Sequence, residues 1–178
     1  LYGETLVEPE ALVGKVRRLP GTDGQAKMGK SLGNCIYLSD DQETVTKKVI
    51  SMYTDPQRVH ATDPGRVEGN PVFIYHEAFN PDQNEVHEFK DKYRAGKIGD
   101  IEIKKRLADV LNHMLDPIRK RRREFEKNPS QINQILIDGT ARARKDAKIT
   151  MAKVRKAMKI DYFLICLTIC TKVCTISL

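Results

Sequence analysis

Apolar residues recur at intervals of three and four along most of the chain after residue 38, which is the period of an amphipathic helix. The first such stripe is formed by Val45, Val49 and Met52. Ser39 and Gln42 precede it with the spacing of a capping box, in which two side chains satisfy free N–H groups at a helix start. The pattern predicts a helix that begins at Ser39 and turns its Val and Met side chains inward.

Residues 54–71 interrupt the helical period with Asp-Pro, Pro-Gly and Gly-Asn-Pro sequences, which are typical of loops. Helices over 72–79 and 84–95 are predicted to follow. A long amphipathic helix then begins at residue 100, and Pro117 is expected to kink it. Its inward positions are Ile103, Leu107, Leu111, Met114, Leu115 and Ile118.

A last helix is predicted from Pro129, which suits a first turn because its missing N–H would have no partner there. Residues 135–137, Ile-Leu-Ile, are interpreted as a buried face of this helix. A second apolar face is formed by Ala143, Ala147, Met151, Val154 and Met158. Both faces are interpreted as ordinary core.

Two short apolar runs near the start, at residues 6–7 and 11–13, have the composition of strands. We expect them to complete a sheet. The overall pattern therefore predicts a mostly α chain, in which the end of an α/β region precedes a helical region.

The charge of the chain favours a polyanionic partner. Lysine and arginine number 31 against 24 aspartates and glutamates, a formal net charge of +7. The run 119–123 is wholly basic, and the segment 142–159 holds eight basic residues and one acidic residue. Each run is interpreted either as a phosphate-binding face or as a solvated helix face.

The four cysteines lack the paired spacings of a disulfide framework, and no secretory signal is recognisable, so a cytoplasmic location is expected. The apolar tail, 162–178, is short for a membrane span and contains Lys172. Its three cysteines meet no zinc pattern, and no metal site is predicted elsewhere. We interpret the tail as an altered reading frame or a divergent terminus rather than a membrane anchor.

Residues 24–31, G-Q-A-K-M-G-K-S, fit two nucleotide-binding patterns. One is the P-loop, G-x-x-x-x-G-K-S, which needs a strand before it and a helix after it. The charged turn-forming residues 17–23 and the helix breaker Gly33 disfavour that pattern. The other is K-M-G-K-S, one residue away from K-M-S-K-S, the mobile signature loop of class I aminoacyl-tRNA synthetases.

The surrounding residues resemble the bacterial tryptophanyl-tRNA synthetases. The resemblance runs through residues 18–34, with Pro-Gly-Thr-Asp-Gly before the signature, and extends over about residues 1–162. Further matching positions are Asp55-Pro56, Arg58, Asp63-Pro64-Gly65, Gly69-Asn70-Pro71-Val72 and residues 115–122. Gly29 stands where the family usually has Ser, a change that removes at most one hydrogen bond and loosens the backbone.

The resemblance implies ATP-dependent activation of tryptophan and its transfer to tRNA. Lys27 and Lys30 would act on the phosphates as catalytic cations, while magnesium bridges the phosphates. ATP contacts are expected from Lys27, Met28, Gly29, Lys30, Ser31 and Val16. Contacts to tRNA are expected from Arg119, Arg121, Arg122, Arg142, Arg144 and Lys145.

By the same resemblance, residues 1–38 end a class I nucleotide-binding α/β domain and carry the signature loop. Residues 39–71 form a helix and linker, and 72–161 form a helical anticodon-recognition domain. The family's first half, with its H-I-G-H-like element and tryptophan pocket, has no counterpart here. We therefore expect a C-terminal fragment that is inactive alone and belongs to a homodimer when complete. The alternatives are an RNA-binding helical module without catalysis and a P-loop NTPase.

Overall fold

The computed structural model describes residues 3, 5–14, 16, 18–24, 27–60 and 62–161. The predicted atypical tail, 162–178, lies outside the described residues. Within them the chain forms one short 3₁₀ turn and five α-helices: α1 (Gln42–Ile50), α2 (Pro71–Phe79), α3 (Gln83–Arg94), α4 (Asp100–Glu126) and α5 (Pro129–Ala157). One compact unit spans residues 13–126, and the described residues up to 12 and from 127 onward belong to a second unit.

The expected strands at 6–7 and 11–13 are wrong for this structure, because none of the described residues is in a strand. Leu6, Val7 and Leu12 are 68%, 94% and 100% exposed. A strand is stable only when a neighbouring strand satisfies its backbone N–H and C=O groups. The two runs are apolar, but the described residues include no neighbouring strand that could pair with them.

Helix α1 begins three residues later than predicted. Its N-cap is Asp41, whose carboxylate accepts a hydrogen bond from the Thr44 N–H at 2.7 Å and has its pKa lowered mainly by that contact. The Ser39 capping box is therefore wrong, since a carboxylate in register with the free N–H groups outcompetes it. The predicted inward stripe is confirmed: Val45, Val49 and Met52 are buried.

The core of the larger unit lies where α1 and α2 pack against α4. The predicted inward positions of α4 are confirmed for Ile103, Leu107, Leu111 and Leu115, all of which are buried, whereas Ile118 is exposed. Pro117 lies inside α4 without ending it. Lys104 is also buried, and its ammonium group donates to the carbonyls of Ile50 and Met52 and to the hydroxyl of Thr54. These are the last carbonyls of α1 and the turn that follows it.

The loop between α1 and α2 is held by Arg58. Its guanidinium donates to the carbonyl of Asp63 at 2.8 Å, to the carbonyl of Ile98, and to the carboxylate of Asp100 at 2.9 Å. It also lies 4.2 Å from the centroid of the Tyr93 ring. Burial and the Asp100 carboxylate raise the pKa of Tyr93 to about 12, so its hydroxyl remains a donor to Asp100. The loop is thus fastened to the start of α4.

Helix α5 differs from the prediction. It begins at Pro129 as expected, with Asn128 as N-cap, but it contains no buried residue among those described. Ile135, Leu136 and Ile137 are 52%, 61% and 62% exposed, so the predicted buried face is wrong. The face that includes Met151 and Met158 is also largely exposed. None of the described helices is long and apolar enough to cross a membrane.

Candidate functional site

The lysine-containing loop lacks the architecture of a P-loop. The described residues before it, 22–24, form a turn, and Lys30–Leu32 is a single 3₁₀ turn. Gly33 ends that turn with a φ of 67°, a left-handed conformation that glycine adopts without strain. Anion binding by a P-loop depends on a strand that enters the loop and a helix that leaves it. The P-loop alternative is therefore wrong.

Lys27, Lys30 and Ser31 are exposed on this loop. Neither lysine forms an ion pair with any residue that the structure describes. Two unpaired ammonium groups three residues apart are available for an anionic ligand, and the Ser31 hydroxyl is available as a further donor. Gly29, between them, has extended backbone with φ −146° and ψ 135°.

Asn34 lies buried beneath the loop, with only 3% of its surface exposed, and its side chain hydrogen-bonds to the loop backbone. Its Nδ2 group donates to both carboxylate oxygens of Asp23 at 3.0 Å and to the carbonyl of Lys27 at 3.1 Å. Its Oδ1 accepts the N–H of Gly29 at 2.8 Å. One amide therefore joins the approach to the loop with the backbone on both sides of Met28. The sequence gives no signal for this role, because the contacts span five to eleven residues of irregular chain.

The approach to the loop is packed closely against the same side chain. A Cβ atom on Gly21 would lie 2.2 Å from Nδ2 of Asn34, so no larger residue fits without moving it. The N–H of Thr22 donates to the carbonyl of Asn34 at 3.0 Å, and the N–H of Tyr53 donates to the carbonyl of Thr22 at 2.8 Å. These contacts connect the loop to the turn after α1.

Met28 is half-buried and anchors the loop to the helical core. The hydroxyl of Tyr75, on α2, donates to the carbonyl of Pro20 at 2.8 Å and lies 3.7 Å from the Met28 sulfur. Burial, and then the charges of Cys35 and Asp23, raise the pKa of Tyr75 to about 12. Tyr75 is consequently a neutral structural donor. Met28 packs against the core, and the expected ATP contact at this residue stays a prediction. The remaining expected contact, Val16, is 40% exposed in irregular chain.

The basic residues expected to contact tRNA fall into two groups. On α4, the guanidinium of Arg119 donates to the carbonyl of Asp40 and to Oδ1 of Asn112, and Arg122 pairs with Glu126. On α5, the side chains of Arg142, Arg144 and Lys145 are exposed, with no ion pair to any described residue. Arg121 is also exposed, with no ion pair to any described residue. Arg121 and the α5 group therefore lack an ion-pair partner among the described residues, and their contacts to tRNA stay a prediction.

The described residues include no group of three or more His, Cys, Asp or Glu side chains that would hold a metal ion. His76 is fully buried, its ring nitrogens pairing with the carbonyl of Ile103 and the amide of Asn80. Its role is in packing. The chemistry of the site thus consists of cations and N–H or O–H donors, which suits a phosphate-rich ligand.

Comparison with known proteins agrees with this chemistry. The family described as tRNA synthetases class I (W and Y) matches residues 2–116. A tryptophan–tRNA ligase of Treponema pallidum is 56% identical over 158 residues, covering 89% of this chain and 47% of the relative. The enzyme of the same name from Chlamydia caviae is 51% identical over 161 residues, covering 90% and 47%.

A solved structure has the same fold. The tryptophanyl-tRNA synthetase of Campylobacter jejuni, complexed with ADP and tryptophan, matches with a TM-score of 0.69 and 30% identity. The match covers 89% of this chain and 49% of that structure. The chain therefore spans about half the length of the relatives that it matches.

Proposed function

Because the chain belongs to the class I tRNA synthetases of the tryptophan and tyrosine family, we propose that it supplies the phosphate-binding lysine loop and a tRNA-docking helical region of a tryptophan–tRNA ligase. The observation that carries the proposal is the pair of exposed, unpaired lysines, Lys27 and Lys30, on a loop anchored from below. Tryptophan as the substrate rests on the names of the relatives at 51–56% identity.

In the proposed reaction the carboxylate of tryptophan attacks the α-phosphorus of ATP, and pyrophosphate leaves. Negative charge develops on the phosphoryl oxygens and on the leaving group, so cations positioned there stabilise the transition state. Lys27 and Lys30 supply those cations, and Ser31 donates a further hydrogen bond. Met28 packs the loop onto the helices. Magnesium bound to the phosphates of ATP would neutralise part of their charge, and the described residues include no cluster of side chains that would hold the ion by themselves.

The activity requires residues beyond this chain, which spans about half of its relatives. We assign residues 1–38 to the end of a nucleotide-binding α/β domain, 39–71 to a helix and linker, and 72–161 to the helical region that docks tRNA. Homodimer formation and a cytoplasmic location belong to the same proposal.

Docking of tRNA is assigned chiefly to α5. Its exposed cations, among them Arg142, Arg144 and Lys145, would contact the phosphate backbone, which gives affinity without base selection. This observation also supports the second candidate function, an RNA-binding helical module without catalysis. The two differ in whether the lysine loop contributes to chemistry.

A chimera separates the two functions. In it, this chain replaces the matching segment of the Treponema pallidum relative, and tryptophan-dependent exchange of pyrophosphate into ATP is measured. We expect exchange by the chimera and none by the 178-residue chain alone. A folded chimera without exchange, together with tRNA binding, would leave only the RNA-binding function.

The same chimera tests the roles within the loop. Lys30→Ala should lower kcat about 10²–10³-fold and change KM for ATP much less, because the lysine acts on charge that develops in the transition state. Gly29→Ser is the matched control. Its backbone is extended, and the nearest obstacle to a Cβ is the flexible Leu32 side chain at 3.3 Å, so we expect little loss. A severe loss in Gly29→Ser beside a mild one in Lys30→Ala would contradict the assignment.

A further inference from the structure

Asn34 stands outside the five-residue signature, yet it makes more hydrogen bonds to the loop than any signature side chain described. Its amide joins Asp23, the carbonyl of Lys27 and the N–H of Gly29. We infer that Asn34 is a positioning residue for amino-acid activation, which holds the backbone that presents Lys27 and Lys30. This inference rests on the proposed function, because it assigns the geometry of the same site.

The hydrogen bonds from Asn34 fix backbone groups that belong to Lys27 or lie next to Lys30. The Lys27 carbonyl belongs to the residue that carries the first ammonium group. Gly29 immediately precedes the 3₁₀ turn that begins with Lys30, and the carbonyl of Gly29 accepts the N–H of Leu32 at 3.1 Å. Fixing the Lys27 carbonyl and the Gly29 N–H therefore fixes the two main-chain positions from which the lysines extend. Misplacement by about 1 Å can cost about 10²-fold in rate.

The chemistry of the position selects asparagine. The side chain donates to a carboxylate and a carbonyl while it accepts an N–H, so it must carry a donor and an acceptor together. An ionised aspartate would accept only, and its charge would face the Asp23 carboxylate. Glutamine is longer than asparagine by one methylene group. There is no space for it, because the Asn34 side chain already lies so close to Gly21 that a Cβ on Gly21 would be 2.2 Å from Nδ2. Asn34 is thus matched to its partners in charge, in hydrogen-bonding capacity and in size.

Asn34→Asp in the chimera gives a test that loss of stability alone would not mimic. Above neutral pH the new carboxylate would repel Asp23, and we expect kcat for pyrophosphate exchange to fall about 10–100-fold with little change in KM for ATP. As the pH falls, the shared site takes up a proton, and a neutral carboxyl group can donate to Asp23 and accept from Gly29. The activity relative to the unaltered chimera should then recover. Among the described residues, the Cys35 thiol lies 3.8 Å from Oδ1, and the Tyr75 hydroxyl interacts with the charges of Cys35 and Asp23.

Asn80→Asp is the matched control. Asn80 is also 3% exposed, and its amide also donates to a carboxylate, that of Glu85 at 2.8 Å, but it lies between α2 and α3. The same substitution there introduces a buried carboxylate beside another one. We expect this variant to be less stable than the parent chimera. Its kcat and the pH dependence of its kcat should equal those of the parent. An equal loss in both variants, or a loss in Asn34→Asp that does not recover at low pH, would overturn the inference.

A second measurement separates this inference from the proposed function. Exchange of the Gly29 amide hydrogen is followed by NMR in the 178-residue chain. We expect Asn34→Ala to accelerate it roughly fivefold or more by removing its acceptor, and Asn80→Ala to leave it unchanged. An inactive parent chimera with a protected Gly29 amide would reject the proposed function alone. Unchanged exchange in Asn34→Ala would reject the anchoring itself.

Discussion

Helices α4 and α5 have nearly the same length, 27 and 29 residues, and both alternate apolar and charged residues with helical period. Their surroundings differ. Helix α4 buries eight residues against other helices, whereas α5 buries none among those described. Periodicity is therefore sufficient to predict a helix and insufficient to predict a core. A stripe becomes core only when another element covers it.

The basic residues of the two helices differ in the same way. On α4, Arg119 donates to two neutral oxygens that hold it in place, and the charge of Arg122 is partly compensated by Glu126. On α5, Arg142, Arg144 and Lys145 are open to solvent. Both helices therefore present exposed cations, Arg121 on α4 and three residues on α5, but only α4 also packs into the core.

The largest expected effect separates their contributions to stability. Leu107→Ala on α4 should lower the free energy of unfolding by about 2–5 kcal/mol, because Leu107 is fully buried and its removal leaves a cavity. Leu136→Ala on α5 should change it by less than about 0.5 kcal/mol, since most of that side chain is exposed. Urea unfolding followed by circular dichroism measures both. Equal losses would mean that α5 is covered in solution.

A smaller effect is expected from the buried lysine of α4. Lys104→Met removes the donor to the carbonyls of Ile50 and Met52 and should destabilise the protein by about 1–3 kcal/mol. Lys105→Met, at the exposed neighbouring position, is the matched control and should be nearly neutral. Midpoints of urea unfolding report the difference. A neutral Lys104→Met would show that these carbonyls find other donors.

Binding of tRNA tests the division of charge. Combined replacement of Arg142, Arg144 and Lys145 by Ala should weaken binding of an unfractionated tRNA pool by about tenfold and lower the salt slope by about two to three. Arg122→Ala on α4 should change the slope by less than about one, because Glu126 already pairs with it. Titrations at several salt concentrations measure the slopes. An unchanged slope in the α5 variant would identify that face as merely solvated.

The smallest expected effect is a pH dependence at the contact of α2 with α4. Burial lowers the pKa of His76 below its ordinary value of 6.5, with Glu85 and Arg106 acting in opposite directions. The unfolded chain therefore binds a proton more readily, and stability should fall as the pH drops below about 6.5, by at most about 1.4 kcal/mol per unit. His76→Gln should reduce that slope, while His87→Gln, at an exposed position, should not. Urea unfolding between pH 7 and 5 measures it.

The sequence by itself determined the features that depend only on residues within one or two helical turns of each other. The starts of α2, α4 and α5 lie within a residue of their predicted positions, and the inward stripe of α1 is confirmed. The K-M-G-K-S signature and its neighbours indicated the family, which the comparisons confirm. Helix starts follow from local propensity, from the positions of proline and glycine, and from the helical period. These signals act over short distances, so they predict a helix without knowledge of the element that packs against it.

Only the tertiary structure decided which groups meet. The cap of α1 at Asp41 was misassigned to Ser39, and α5 was assigned a buried face that it lacks. The amide of Asn34 reaches partners up to eleven residues away through irregular chain. Lys104, predicted only as part of a helix, reaches residues 50–54 from α4. Burial and hydrogen bonding between distant residues depend on how whole elements pack, and no local pattern specifies that packing.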